Sequence, residues 1–217
     1  MRIILLNCSC LFIILFNACK TKNYSSLLQP FRADTTYTSI RKNAFFLLTE
    51  KIGYPILTKG INGFEMRVWA PCHPYLDHLG LVMIRQLNGK WEYSFTHIAL
   101  KQPRGHPDSL APMLRIRIDS VSKIQIKPNK ENQFLDSLVS LNLQNSPNQA
   151  EWEHGLFPDT GNYVYTIEVA NKQSYRIISY TCAHREGGFT PHDLKFQRFL
   201  KLLKAHFGVA LQDCVFL

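Results

Sequence analysis

From Gly63 to Ala70 the chain alternates without a break. Phe64, Met66, Val68 and Ala70 fall on one side; Glu65, Arg67 and Trp69 fall on the other. A period of two predicts a strand with one face in a core and one in solvent, and Pro71 and Pro74 end it. Two further apolar runs flank Asn88-Gly89 between Leu79 and Leu100. Asn-Gly supplies the two positive φ angles of a type I′ turn, so the runs predict a hairpin. A two-residue loop sets Arg85 opposite Glu92, Ile84 opposite Tyr93 and Val82 opposite Phe95. Charges then meet on one face while Trp91, Tyr93 and Phe95 share the other. Met113 to Ile126 predicts one or two more strands, in which Arg115, Arg117, Lys123 and Lys127 alternate with aliphatic residues as a solvated face. Gly161–Ala170 places Tyr163, Tyr165, Ile167 and Val169 on one side. Ser174–Cys182 returns after the Asn171-Lys172-Gln173 turn, predicting a second antiparallel hairpin.

Helical spacing governs the remainder. Ile40, Ala44, Phe45, Leu47 and Leu48 suggest a helix within Thr35–Lys51 that stops at Gly53. Gln133–Leu143 reads as amphipathic, and the polar residues 144–160 read as a loop. The C-terminal helix is the best marked. Thr190 can cap it, Pro191 suits its first position, Asp193 completes a capping box and Gly208 stops it. Phe196, Phe199, Leu200, Leu203 and Phe207 form its apolar stripe. Hairpins dominate and no strand–helix–strand unit repeats. The expected fold is therefore α+β: an antiparallel sheet of about five to seven strands with two or three helices packed on it.

The longest apolar run stands at the N-terminus. Arg2 precedes Ile3–Phe16, and Asn17-Ala18-Cys19-Lys20 follow. A short basic start, an apolar stretch and a small residue before the break form a secretion signal, and the run is short for a span of roughly 20 apolar residues. Cys19 after Ala18 resembles the lipobox of bacterial lipoproteins, in the relaxed Bacteroidota form, with Phe16 where Leu is common. That resemblance implies cleavage before Cys19 and acylation of its thiol and amine. The expected organisation is a signal peptide over 1–18, a lipidated tether over 19–34 and a single α+β domain over 35–217. Cys8 and Cys10 leave with the signal. The order Gly63-Phe-Glu-Met-Arg-Val-Trp69, a hairpin with Trp91 after its turn, Tyr165-x-Ile-Glu-Val169 and Tyr175-Arg176 is also similar to a group of Bacteroidota lipoproteins with no assigned activity. It covers roughly residues 60–207 and implies no chemistry. In such proteins the surface-exposed members carry acids just after the lipidated Cys. Here Lys20-Thr21-Lys22-Asn23 follow, with no acid before Asp34, so a periplasm-facing protein is expected, anchored to the cell or outer membrane.

Composition agrees with a packed domain. Of 217 residues 46% are apolar and 19% charged, and 14 Phe, 9 Tyr and 3 Trp can fill a core. The formal charge of +9 falls to +8 without residues 1–18, which hold Arg2 and no acid. No run of four Lys or Arg concentrates that charge, and an exported protein meets no intracellular nucleic acid, so no nucleic-acid partner is expected. Cys72, Cys182 and Cys214 remain in the mature chain; an exported compartment permits a disulfide, and three pairings are open.

Chemistry is sparse. Cys72-His73-x-x-x-Asp77-His78 gathers metal-ligating types, but its spacing matches no zinc module, so it reads as a polar loop and no metal is expected. Cys182, His184 and His192 could build a nucleophile–base pair beside Gly187-Gly188. The competing reading is a loop between the last strand and the last helix. No phosphate loop, dinucleotide fingerprint, nucleophile elbow or His-Glu-x-x-His occurs. The expectation is thus a non-catalytic envelope lipoprotein with a binding or structural role, no cofactor, and a protein, peptide or glycan partner. The alternative is a hydrolase or metal protein using Cys182, His184 and His192. Trp91, Tyr163, Tyr165, Tyr175 and Tyr180 read mostly as core or sheet-face residues; the alternative, an exposed aromatic patch, would suit a glycan or peptide.

Overall fold

Alternation and turn chemistry resolve into one sheet. The computed structural model describes residues 24–31, 46–71, 78–101, 117–147, 164–181, 191–209 and 211. Its strands are β1 (Gly63–Pro71), β2 (His78–Leu87), β3 (Lys90–Lys101), β4 (Arg117–Gln125), β5 (Val164–Asn171) and β6 (Tyr175–Thr181). They form a single six-stranded sheet in the order β4-β3-β2-β1-β5-β6, every neighbouring pair antiparallel. Among the described residues four α-helices accompany it: α1 (Ser25–Leu28), α2 over 46–51, α3 (Glu131–Leu141) and α4 (Pro191–Phe207). The fold is α+β, as the pattern predicts.

The β2–β3 hairpin follows its sequence closely. Asn88 and Gly89 have φ of 50° and 76°, the type I′ signature. Arg85 pairs with Glu92, Ile84 with Tyr93 and Val82 with Phe95. At the start of β1 a side chain is excluded outright: a Cβ on Gly63 would lie 2.0 Å from the Gln86 carbonyl oxygen. In the β5–β6 turn the Asn171 side chain accepts hydrogen bonds from the Gln173 and Ser174 amides, a local mimic of a backbone turn.

One face of the sheet packs on α3 and α4. The two helices run antiparallel: Asn129, before α3, donates to His206 near the end of α4, and Lys195 near the start of α4 donates to Asn142 after α3. Phe134, Leu135 and Leu138 from α3 and Phe196, Phe199, Leu200 and Leu203 from α4 bury against Phe64, Met66, Val68, Ile84, Tyr93, Tyr165 and Ile167. Gly208, with φ of 64°, closes α4 by donating to Lys204. Asp193 is buried and accepts a 2.5 Å hydrogen bond from Tyr180; its expected capping partner Thr190 lies outside the described residues.

Three expectations are corrected. β1 is not half-buried, because residues 46–61 cover the second face: Leu48 and Tyr54 pack there with Trp69, Leu81, Met83 and Ile98. Helical cover is therefore not confined to one face. β4, an edge strand, buries little of its aliphatic surface: Ile118 packs half-buried against the second core, but Val121 and Ile124 stay exposed beside Lys123. Residues 24–31 of the expected tether belong to the domain, since Leu27 and Phe31 are buried in the main core. The first part of the expected 35–51 helix lies outside the described residues; its last turn is present over 46–51, and Gly53 follows with φ of 75°.

Candidate functional site

The second face of the sheet holds the concentration of ionisable groups. Glu65 and Arg67 point there by strand alternation, and the pairing of β1 with β5 sets Glu168 directly opposite Arg67. The β1–β2 register sets Arg85 opposite Glu65. Arg67 Nε donates to Glu65 Oε1 and Arg85 Nε to Glu65 Oε2, each at 2.6 Å. Arg67 Nη2 donates to the Pro55 carbonyl at 2.7 Å, and Nη1 stands 3.9 Å from Glu168 Oε2. Glu168 also accepts from Trp69 Nε1 at 2.7 Å and from the Tyr175 hydroxyl at 3.1 Å. Glu65, Arg67 and Glu168 are all within 1% of complete burial.

Electrostatics follow from that burial. Removal from water pushes the Glu168 carboxyl above its ordinary value, against the opposing pull of Arg67 and the donors Trp69 and Tyr175. Nearby, Tyr54 shares a 2.9 Å hydrogen bond with Thr96, while Lys123 Nζ lies 4.7 Å from its ring centre and Arg67 lies 5.4 Å from it. Burial alone would raise the Tyr54 hydroxyl; hydrogen bonds to Thr96 and Lys123 and the Lys123 charge outweigh it and hold the hydroxyl below its ordinary value. Chemically, the network holds carboxylates already bonded to their own cations and donors, beneath residues 54–55. It resembles a structural lock more than a reaction centre.

A shallow groove of about 510 Å³ runs between α3 and α4, lined by Ser137, Ser140, Leu141, Lys195, Arg198 and Leu202. Its serines donate to carbonyls of their own helix, and Lys195 donates to Asn142. It presents little beyond the exposed Arg198 to a ligand.

The residues singled out in sequence fall mostly elsewhere. Cys19, Cys72, His73, Asp77, Cys182, His184, Cys214 and Tyr163 lie outside the described residues. His78 opens β2 and stacks on His97 with ring centres 4.9 Å apart; His192 is exposed on the first turn of α4. Among the described residues no three His, Cys, Asp or Glu side chains gather to hold a metal. Trp91, Tyr165, Tyr175 and Tyr180 are buried or half-buried. Tyr165 and Tyr180 pack on Phe196, and Trp91 stacks on Tyr93 and meets Tyr24 edge-on. They do not form the exposed aromatic patch.

Sequence reasoning missed the buried network. Its signal was present as acids and arginines on the same alternate positions of β1, β2 and β5. The pairing of β1 with β5, which are far apart in the chain, was needed to join them. Compared with protein families, with characterised proteins and with solved structures, the chain matches none.

Proposed function

We propose that this protein is an exported lipoprotein, fixed to an envelope membrane through acylated Cys19, whose domain serves a non-catalytic binding or structural role. The observation that carries the reading is the apolar run ending at Ala18-Cys19 behind a single basic residue. A thiol delivered to the membrane surface can take a diacylglycerol, and the freed amine a further chain; two or more chains anchor a protein stably where one does so only marginally. The non-catalytic role is supported by the buried carboxylates, which Arg67, Arg85, Trp69 and Tyr175 already occupy. The partner is an envelope protein, peptide or glycan, and the absence of acids directly after Cys19 supports a periplasm-facing domain. Radiolabelled fatty acid should enter the wild-type protein and fail to enter Cys19→Ser. A mature N-terminus other than residue 19 would overturn the lipoprotein reading. Protease added to intact cells should leave the domain uncut.

A further inference from the structure

Few residues separate Cys19 from the first described residue of the domain, Tyr24. Tyr24 packs edge-on against Trp91, with ring centres 6.1 Å apart, and its hydroxyl donates to the Asn132 carbonyl at 3.4 Å. Leu27 is buried, the Gln29 carbonyl accepts from Asn171, and the Phe31 amide donates to Ser174 Oγ at 3.1 Å. The segment thus crosses one end of the sheet, from the first residues of β3 to the β5–β6 turn. Five residue steps separate Cys19 from Tyr24, a reach of at most about 17 Å when fully extended. An acyl group on Cys19 therefore brings this end of the sheet close to the bilayer.

That end is basic. Lys90 follows the β2–β3 turn and adjoins Trp91. Lys130 precedes α3, two residues before Asn132. Lys172 sits in the β5–β6 turn beside Asn171, and Lys59 ends a short 3-10 turn whose following Ile61 amide donates to Asn171. All four are exposed. Glu92 and Glu131 oppose them at this end, whereas Lys20 and Lys22 in the connecting residues add to them.

We propose that this end of the sheet is a docking surface for an anionic bilayer leaflet, so that the domain lies against the membrane in one orientation instead of swinging from its anchor. The proposal rests on the lipoprotein reading for the position of the anchor. The lysines act independently of it, each adding attraction to anionic headgroups that salt screens.

The test uses the mature full chain, residues 19–217, carrying Cys19→Ser so that no lipid contributes. It should sediment with vesicles containing about one-third phosphatidylglycerol at low salt, and not with phosphatidylcholine vesicles. Substituting Lys59, Lys90, Lys130 and Lys172 by Gln should lower partitioning about fivefold per lysine. A variant of Lys101, Arg117 and Arg198 to Gln, away from that end, should bind nearly as wild type. Unchanged thermal unfolding confirms that both variants fold. Equal losses in the two variants, or no preference for anionic vesicles, would overturn the proposal. Failure of acylation at Cys19 with the lysine effect intact would instead remove the lipoprotein reading. In lipidated protein reconstituted into the same vesicles, acetic anhydride should modify Lys101 several-fold faster than Lys90 and Lys130; equal rates would also overturn the docking.

Discussion

On one side β1 presents Phe64, Met66 and Val68 to two helices; on the other it presents Glu65, Arg67 and Trp69 to residues 46–61. All six are at most 1% exposed. The helix side gains by removing apolar area from water, roughly 25 cal/mol for each Å², and that gain depends little on which aliphatic group meets which. The second side desolvates three charged side chains, a cost of several kcal/mol per ion before pairing. Part of that cost is recovered within β1 by the Arg67–Glu65 pair; the rest is recovered only when Arg67 lies opposite Glu168 and Arg85 opposite Glu65, that is, in one register of β1 between β2 and β5. Apolar packing thus supplies the stability, and the polar face is suited to fixing alignment.

The largest effects test this division directly. Phe199→Ala should cost about 3–5 kcal/mol in urea unfolding, because it leaves a cavity among Phe196, Leu203 and the sheet. Arg67→Ala should cost a similar ~3–5 kcal/mol for a different reason, since it leaves Glu65 and Glu168 buried with their main cation gone. The two separate in double mutants. Adding Glu168→Gln to Arg67→Met should restore at least about 1 kcal/mol of the single-mutant loss, as expected for residues in one network. No single charge-neutralising change should rescue Phe199→Ala. Additive effects at Arg67 and Glu168 would show that the polar face is not a coupled unit.

A smaller effect concerns pH. The folded Glu168 carboxyl titrates above the ordinary value of 4.5 because burial disfavours its charge. Below that ordinary value the carboxyl is protonated in both states, and its contribution to stability is fully present. As pH rises through the folded value, the unfolded chain ionises more readily and the contribution is lost. Wild-type protein should therefore lose stability from this group as pH rises above that ordinary value, and Glu168→Gln should flatten the profile there. A profile equally steep in the variant would assign the dependence to another group.

The contrast between the faces also explains what could be read from sequence. The β2–β3 register was legible because Asn88-Gly89 fixes the loop length and both faces of the pair then make sense. Helix α4 was legible because Pro191, a five-residue apolar stripe and Gly208 mark it locally. The second face was not legible. Glu65 and Arg67 alternating with apolar residues look like a solvent face whenever their partners are unknown, and Glu168 stands about a hundred positions away. The exposure of Ile124 was hidden for the same kind of reason, since edge position is a property of strand order. Leu27 and Phe31 sit in a short polar context, and only their contacts with the finished sheet reveal them as core.

The smallest expected effect lies where the polar face meets the edge of the sheet. Lys123 on β4 is opposite Thr96 and lies over the Tyr54 ring. At an exposed position such a cation–π contact contributes about 0.5–1 kcal/mol, so Lys123→Ala should cost no more than that at neutral pH. The Tyr54 hydroxyl is held below its ordinary value of 10.0 by hydrogen bonds and the Lys123 charge acting against burial. A depressed acid contributes stability above the unfolded value and loses it as pH falls through the folded one. This contribution is therefore absent at neutrality and grows only in alkali. Ultraviolet titration should show one tyrosine ionising at higher pH in Lys123→Ala than in wild type, together with a stability difference between the two proteins that widens on the alkaline side. Because Lys123 is solvent-exposed whereas Arg67 is not, added salt should shrink the difference at Lys123 and leave the Arg67→Ala cost nearly unchanged. Equal salt sensitivity at both positions would show that the interior of the second face is wetter than its burial implies.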